Sequence, residues 1–233
     1  MIKKLIILSA AAVFFSYAGA QVLNKASAYS NGKLRLEGRE KTQQQLIDAV
    51  CDIATVRSFA DEAVPQNDVN AILTAGVNAQ SAMNRQPWHF SVVSNKSILK
   101  RIADDMSAAM PAGRRPPAGA IPRAQVADAP LVIFVSADKG SEYDAGLASQ
   151  AMCVAAVMLG YGTKIVSSPA AVLNGAKRDT YKKLLSIPEE KYFVAAILIG
   201  KENTRTDKNA DGYTGATPRN AFDKVVSFID ENQ

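Results

Sequence analysis

The sequence predicts an α+β protein, a three-layer α/β/α sandwich in which helices pack on both faces of a sheet. Residues 131–135 form a fully apolar run of strand length, which is typical of a strand in the middle of a sheet. Residues 143–159 form a helix-length segment that is apolar on nearly every side, and such a helix must be surrounded by protein. Strands and helices alternate without the regular glycine turn of a dinucleotide-binding unit, which favours α+β over a doubly wound parallel sheet.

The first twenty residues have the features of a secretory signal peptide. Lys3 and Lys4 precede an apolar stretch over residues 5–15, and Ala18-Gly19-Ala20 forms a small-x-small cleavage signal. We therefore expect cleavage before Gln21 and an exported protein, either periplasmic or secreted. The apolar stretch is shorter than the about 20 residues that a membrane-spanning helix needs, so no stable membrane insertion is expected.

The other elements follow in chain order from apolar spacing and capping residues. Residues 21–40 are polar and are expected to be a poorly ordered lead-in, so that the folded domain covers residues 41–233. Thr42 caps a first helix that extends to residue 54, and Asn67 or Asp68 caps a second helix. The remaining predicted elements are a strand over 88–94, a helix over 97–110, a short strand over 163–166, a helix over 179–185 and a strand over 192–199.

Composition excludes several classes of protein. The chain has one histidine, His89, so a histidine-dependent catalytic triad or a zinc site with two imidazoles lacks its side chains, and no metal site is expected. The formal charge of +5 becomes +3 without Lys3 and Lys4, and no basic stripe interleaves with aromatic residues, so nucleic acid is not an expected partner. No GxSxG, CxxC or phosphate-binding glycine pattern occurs. An enzyme of this composition would depend on a cofactor for its chemistry.

Two features leave alternatives open. Cys51 and Cys153 are too few for a disulfide scaffold, and two buried thiols are favoured over one disulfide because Cys153 lies in the apolar helix. Residues 110–130 combine five prolines with Arg114, Arg115 and Arg123, and prolines at this density prevent regular structure. That segment is either a solvated connector or a cationic flap over a site.

The stretch 81–90, SAMNRQPWHF, crowds polar side chains in front of a strand. Ser81, Asn84 and Gln86 precede a proline that fixes a turn. Asparagine and glutamine beside proline commonly close turns, but their amides can also read the hydrogen-bonding edge of a ligand. His89, which follows the single tryptophan, is expected to pack in the core or in an interface.

Four segments, in this order and spacing, resemble motifs of the FMN-dependent nitroreductase family, and the match extends over residues 46–228. Residues 55–59 (TVRSF) are similar to the family's opening R-x-S-x-R/K-x-F, and residues 81–88 are similar to its P-S-x-x-N-x-Q-P-W. Residues 144–150 (DAGLASQ) open the long helix and are followed by LGYG at 159–162. The last segment is LSIP at 185–188, then the strand ending at Gly200, then Pro218-Arg219.

The resemblance implies a nitroreductase-like fold, with a mixed, mainly antiparallel sheet flanked by helices, in an intertwined homodimer that binds FMN. A flavin ring edge alternates hydrogen-bond acceptors with a donor, and an amide side chain can match either. The resemblance assigns this edge to Asn84 and Gln86, with Ser81 adding a hydroxyl or amide contact. It thereby implies that these residues bind a ligand.

The resemblance also assigns the other end of FMN. Arg57 and Arg219 correspond to cations that bind the ribityl phosphate, since a guanidinium fork matches phosphate oxygens, and Thr55 adds a hydroxyl. Backbone amides near Ser167 and Ser168 correspond to the family's contact to flavin N5.

The chain departs from the family pattern at three positions. Ile53 stands at the first arginine of the opening motif, Thr217 at the C-terminal lysine, and Gln80 at the proline of the second motif. Two lost cations imply weaker FMN binding or replacement by other cations. The candidates for replacement are Arg39, Arg85 and Arg205.

The resemblance implies an FMN oxidoreductase that transfers two electrons, as hydride, to a nitroaromatic, quinone or related small organic acceptor. No side chain needs to act as acid or base, because the protein orients the ring and tunes its charge. The electron donor stays open between NAD(P)H and another reductant. The alternative function is a non-catalytic exported flavin-binding protein, for scavenging or storage. Residues 222–229 are expected to cross to the partner's sheet.

Overall fold

The computed structural model describes residues 29–30, 33–36, 39–51, 53, 55–111, 124–203 and 220–229. The chain divides into two compact units, Met1–Ile53 and Ala54–Gln233, so the boundary predicted at residue 41 falls inside the first unit. The predicted signal peptide and its cleavage point lie outside the described residues. So do the arginine-rich segment 112–123 and Arg219.

The first unit contains a small antiparallel sheet. Its strands are β1 (Tyr29–Ser30), β2 (Lys33–Leu36) and β3 (Arg39–Lys41), in the order β1-β2-β3. Leu34 pairs with Tyr29 on one side and with Lys41 on the other. No strand was predicted here, although residues 33–36 (KLRL) alternate polar and apolar side chains with the two-residue period of a strand.

Helix α1 (Gln43–Cys51) begins where Thr42 predicts. Thr42 N donates to Gln45 Oε1 over 2.9 Å, and Gln45 N donates to Thr42 Oγ1 over 3.3 Å, which is a reciprocal capping pair. The helix ends at Cys51, before the predicted end, and Cys51 is exposed. The expectation of two buried thiols is therefore wrong for Cys51 and confirmed for Cys153, which is buried.

The second unit is built on a four-stranded antiparallel sheet. Its strands are β4 (Trp88–Val93), β5 (Leu131–Ala137), β6 (Gly162–Val166) and β7 (Tyr192–Gly200), in the order β4-β5-β7-β6. All four were predicted from the sequence. Every residue of β5 is buried, as its apolar run predicts, and β4 and β6 are the outer strands.

Helices cover both faces of this sheet. On one face, α2 (Gln66–Val77) packs on α4 (Glu142–Met158), which contacts β5, β6 and β7. On the other face, α3 (Lys96–Ala109), α5 (Ala170–Leu173) and α6 (Arg178–Leu184) enclose a core with alternate residues of the central strands. That core includes Leu99, Ile102, Val132, Phe134, Leu173, Tyr181 and Leu198. This arrangement confirms the predicted three-layer sandwich.

The prediction for the start of helix α2 was wrong. The helix starts directly after Pro65, so neither Asn67 nor Asp68 is its cap. Asp68 is instead buried in the first turn and accepts a 2.5 Å hydrogen bond from the Tyr161 hydroxyl. The Asp68 carboxylate, which the local sequence predicts as a helix cap, instead makes a tertiary hydrogen bond with Tyr161.

Helix α4 leaves one side exposed in the single chain. Met152 and Cys153 are buried, whereas Tyr143 is 79% exposed and Leu147 and Val154 are half-buried. This chain therefore covers only part of a helix that is apolar nearly all round. Among the described residues, no helix combines the length and apolarity needed to cross a membrane.

The C-terminal segment, residues 220–229, exposes large apolar side chains. A 3₁₀ turn spans Phe222–Lys224, and the exposed apolar residues are Phe222, Val225, Phe228 and Ile229. The predicted crossing to a partner's sheet involves a second chain and stays a prediction.

Candidate functional site

The polar stretch before β4 forms a strained loop, here called the β4-entry loop (residues 81–87). Within it, three non-glycine residues have left-handed φ values: Met83 at 53°, Asn84 at 54° and Gln86 at 49°. Such values are uncommon outside glycine and cost free energy. Gln86 also precedes Pro87, and a following proline favours extended backbone. Because strain of this kind clusters at functional sites, this loop is the first candidate.

Ser81 closes the turn of the β4-entry loop. Its Oγ accepts a hydrogen bond from Gln86 N over 3.0 Å, and its carbonyl accepts one from Asn84 N over 3.0 Å. Gln86 Nε2 lies 3.2 Å from Asn84 Oδ1 and 3.4 Å from Asn84 O, and both side chains are exposed. The sequence left a turn-closing role and a ligand role open for these two amides. The short hydrogen bonds of the turn come from Ser81, and the ligand role of the two amides stays a prediction.

Two side chains from distant segments contact the main chain of this loop. Asp144, in the first turn of α4, accepts a hydrogen bond from Ala82 N over 3.0 Å. Lys191, just before β7, donates to Pro87 O over 2.9 Å. Neither contact was predicted, because no local sequence pattern signals a contact across 62 or 104 positions.

A second group of predicted site residues lies beside β6. Thr55 forms a bridge with Thr163, and Val56 N donates to Thr163 O over 3.0 Å. Gly162 permits this close approach, since a Cβ there would lie 2.1 Å from Val56 Cγ2. Thr55 is exposed and Arg57 is half-buried. The structure therefore places the backbone of Thr55 and Val56 next to one outer strand, with Arg57 directly after them.

Ser167 and Ser168 occupy the turn between β6 and α5, and both are exposed. The carbonyl of Ser167 accepts a 3.0 Å hydrogen bond from Ala170 N at the start of α5. These serines follow the same outer strand that Thr55 adjoins. The described phosphate-side and N5-side candidates thus share one edge of the sheet.

The β4-entry loop and the Thr55 segment lie far apart in a single chain. Trp88 pairs with Ala137, which pairs with Tyr192 at the start of β7. Thr163 pairs with Ile199, close to the other end of β7. At about 3.3 Å per residue and about 4.8 Å per strand spacing, Trp88 and Thr163 are roughly 25 Å apart. One chain does not bring Asn84 and Gln86 into a pocket with Thr55 and Arg57.

A groove of about 450 Å³ follows the outer edge of β4. Its lining residues are His89, Phe90, Ser91, Val92, Val93, Ser94, Asn95, Ile98, Leu184, Leu185 and Ser186. His89 is half-buried in this wall, so it does not pack in the core, and its packing in an interface stays a prediction. Burial lowers the pKa of His89 and the nearby Lys191 ammonium lowers it further, which keeps the imidazole mainly neutral at pH 7.

Solved structures that share this fold include nitroreductases. A nitroreductase from Bacteroides fragilis with bound FMN matches with a TM-score of 0.66 and 20% identity, over 80% of this chain and 99% of that chain. A nitroreductase from Desulfitobacterium hafniense with bound FMN matches with a TM-score of 0.66 and 22% identity, over 80% and 98% of the two chains. The fold class is therefore nitroreductase-like α+β.

Sequence comparison then gives the family. Residues 54–201, more than half of the chain, match the model of the Nitroreductase family. A protein named "Putative NADH dehydrogenase/NAD(P)H nitroreductase" from Methanothermobacter thermautotrophicus is 28% identical over 188 residues, which cover 76% of this chain and 83% of that protein. The chain belongs to the Nitroreductase family, which confirms the family that the sequence motifs indicated.

Proposed function

We propose that this protein is an FMN-dependent oxidoreductase that transfers two electrons, as hydride, to nitroaromatic, quinone or related organic acceptors. The observation that carries the proposal is the exposed amide pair of Asn84 and Gln86, held on a strained loop in a chain of the Nitroreductase family. Left-handed backbone at these residues costs free energy, and outward-facing side chains gain no core packing in return. A binding role accounts for both features.

The residues on this chain suit the chemical groups of FMN. The amides of Asn84 and Gln86 each offer a donor and an acceptor, as a flavin edge requires. Arg57 and Thr55 offer a guanidinium and a hydroxyl, which suit a phosphate. When bound, FMN supplies the hydride-transferring centre, and the protein binds and orients it.

A homodimer whose sites use both chains is part of the proposal. The separation of roughly 25 Å between the two residue groups supports it, since a second copy can bring its β4-entry loop to the Thr55 edge of the first. Exposed apolar residues on α4 and in the segment 222–229 support it as well, because surfaces of this kind commonly mark interfaces. The open edge of β4 can accept an added strand, for which the partner's C-terminal segment is our candidate.

Export belongs to the same proposal. The signal-peptide features of residues 1–20 support a periplasmic or secreted enzyme that acts on a small organic molecule. The second candidate function, a non-catalytic flavin-binding protein, is favoured by Ile53, which is half-buried where the family pattern has an arginine. Turnover separates the two functions, because a store binds FMN without passing electrons to an acceptor.

The proposal is tested by the absorption spectrum of the purified protein and by titration of the apoprotein with FMN. Trp88 is the only tryptophan and directly follows the β4-entry loop, so its fluorescence should be quenched as FMN binds. Riboflavin, which lacks the phosphate, should bind more weakly than FMN if Arg57 contacts that phosphate. The proposal would be refuted if the protein showed no flavin absorption and if saturating FMN did not quench the fluorescence of Trp88. Stopped-flow mixing of the loaded protein with a reductant and then a nitroaromatic would separate enzyme from store.

A further inference from the structure

The main chain at the exit of the β4-entry loop is held by Lys191. Its Nζ donates to Pro87 O over 2.9 Å and to Asp138 Oδ1 over 2.9 Å, and its side chain is only 15% exposed. Asp138 N also donates to Pro87 O, over 3.2 Å. The Pro87 carbonyl therefore accepts hydrogen bonds from Lys191 Nζ and from Asp138 N, and Lys191 also pairs with the Asp138 carboxylate.

The Pro87 carbonyl is the main-chain group through which hydrogen bonds hold the exit of the loop. Pro87 has no N–H, so its main chain can hydrogen-bond only through the carbonyl. The residue before it, Gln86, has φ 49° although a following proline favours extended backbone. A conformation disfavoured in two ways persists only where the surroundings enforce it. The Lys191 ammonium is the charged group that holds the backbone at Pro87 in this conformation.

The entry of the loop is fastened in a similar way from helix α4. Asp144 is 8% exposed and its Oδ1 accepts from Ala82 N over 3.0 Å. The strained residues Met83, Asn84 and Gln86 thus lie between two charge-assisted anchors, which are stronger than hydrogen bonds between neutral groups. Without Lys191, the exit of the loop would keep only the backbone hydrogen bond from Asp138 N to Pro87 O.

We propose that Lys191 is a positioning residue that fixes the side-chain amides of Asn84 and Gln86 in the orientation in which they bind the flavin edge. The flavin part of this inference rests on the function proposed above, whereas the effect on the loop does not. Lys191 touches neither amide; it acts through Pro87 and the backbone of Gln86. Lys191 therefore contributes to the order of the loop, to the affinity for FMN and to the fixed orientation of the bound flavin.

The experiment compares Lys191→Met, Lys191→Arg and the control Lys201→Met. Lys201 also donates to a backbone carbonyl, that of Gly160 over 3.0 Å, but it lies just beyond the far end of β7. Amide hydrogen exchange on the apoproteins should show lost protection at Gln86 N in Lys191→Met, with the amides of β5 and β7 unchanged. Lys191→Arg should restore protection, and Lys201→Met should leave it at the wild-type level.

Flavin binding is the second readout. Lys191→Met should raise the FMN dissociation constant roughly tenfold and weaken the visible circular dichroism of the bound flavin, as expected when a charged hydrogen bond is lost. Wild-type exchange at Gln86 N together with wild-type affinity would overturn the inference. Uniformly faster exchange throughout the sheet would overturn it too, because it would make Lys191 a general stabilising residue. A wild-type protein that binds no FMN would refute the proposed function, and the exchange data on apoprotein would still decide whether Lys191 orders the loop.

Discussion

The side-chain amides of Asn84 and Gln86 lie against each other, with Gln86 Nε2 3.2 Å from Asn84 Oδ1. Their contact fixes the order in which donors and acceptors face outward from the β4-entry loop. Asn84 and Gln86 both have left-handed φ values, and Arg85 lies between them. Arg85 Nη2 meanwhile lies 4.0 Å from Met83 Sδ, so the cation does not share the amide contact.

The first prediction separates the amide end of the site from the phosphate end. Arg57→Ala and Arg219→Ala should each weaken FMN binding roughly tenfold or more, because a hydrogen bond to a charged group contributes about 1.5–3 kcal/mol. Asn84→Ala should mainly change kcat and the flavin reduction potential, because the Gln86 amide still holds the flavin edge. Loss or displacement of both amides should also lower the affinity. Titration and potentiometry measure both. Unchanged affinity in the Arg57→Ala/Arg219→Ala double variant would mean that the phosphate binds elsewhere.

The second prediction concerns the close approach of the Thr55 segment to β6. Gly162→Ala should destabilise the fold by about 1–3 kcal/mol, because its Cβ would meet Val56 Cγ2 at 2.1 Å and Val56 is buried. The control is Gly146→Ala in helix α4, where an added Cβ meets nothing within 4 Å. This change should increase the free energy of unfolding by about 0.5–1 kcal/mol, because alanine favours the helix over glycine. Urea denaturation measures both variants. Equal effects would argue against the packing of Val56 on β6.

The third prediction is a pH dependence set by Asp105. A hydrogen bond from Lys177 (2.7 Å) and a second one from Tyr181 (2.5 Å) lower the pKa of Asp105. A lowered folded-state pKa gives stability that is present at neutral pH and is lost as pH falls below the ordinary carboxyl range and through the folded pKa. Asp105→Asn should therefore cost more stability at pH 7 than at pH 3.

The matched control for this variant is the neighbouring Asp104→Asn. Asp104 pairs with Lys100 on the exposed side of α3, and exposed pairs of this kind contribute little. Its stability curve should follow the wild-type curve across the acid range. If the Asp105→Asn curve also stayed parallel to wild type, the link between this network and acid stability would be disproved.

The parts of the structure that sequence predicted are those with a local signal. The apolar run at Leu131 predicted β5, and Thr42 with its neighbours predicted the start of α1. The left-handed backbone of Met83 had no such signal, because methionine carries no preference for it. Lys191 was missed for the same reason, since only the folded sheet brings it to Pro87. Motifs identified the residues that we propose bind a ligand, and the residues that support them emerged only from the three-dimensional contacts.

The fourth prediction concerns the electron donor. If the protein is exported, it is separated from the cytoplasmic pool of reduced nicotinamide nucleotides, and the described residues contain no dinucleotide-binding fold. We expect NADH and NADPH to support only slow or poorly saturating turnover with a nitroaromatic acceptor. Among small organic reductants, an anionic one should work better than a cationic one if Arg114, Arg115 and Arg123 raise the local concentration of anions. Efficient, saturable turnover at micromolar NADPH would contradict this and agree with the name of the archaeal relative.

The last prediction tests whether each flavin site is built from two chains. Arg57→Glu damages the edge beside β6, and Asn84→Ala/Gln86→Ala damages the β4-entry loop. If the two halves come from different chains, a mixed dimer of these variants contains one site with both defects and one site with none. Co-expression with separable tags should then recover flavin binding and turnover at about a quarter of all sites, as random pairing in a two-fold dimer gives. Co-expression of Arg57→Glu with Thr55→Val should recover nothing, because both changes damage the same half. Recovery in neither mixture would mean that a single chain builds the whole site, and that the roughly 25 Å between Trp88 and Thr163 is closed by a change within one subunit.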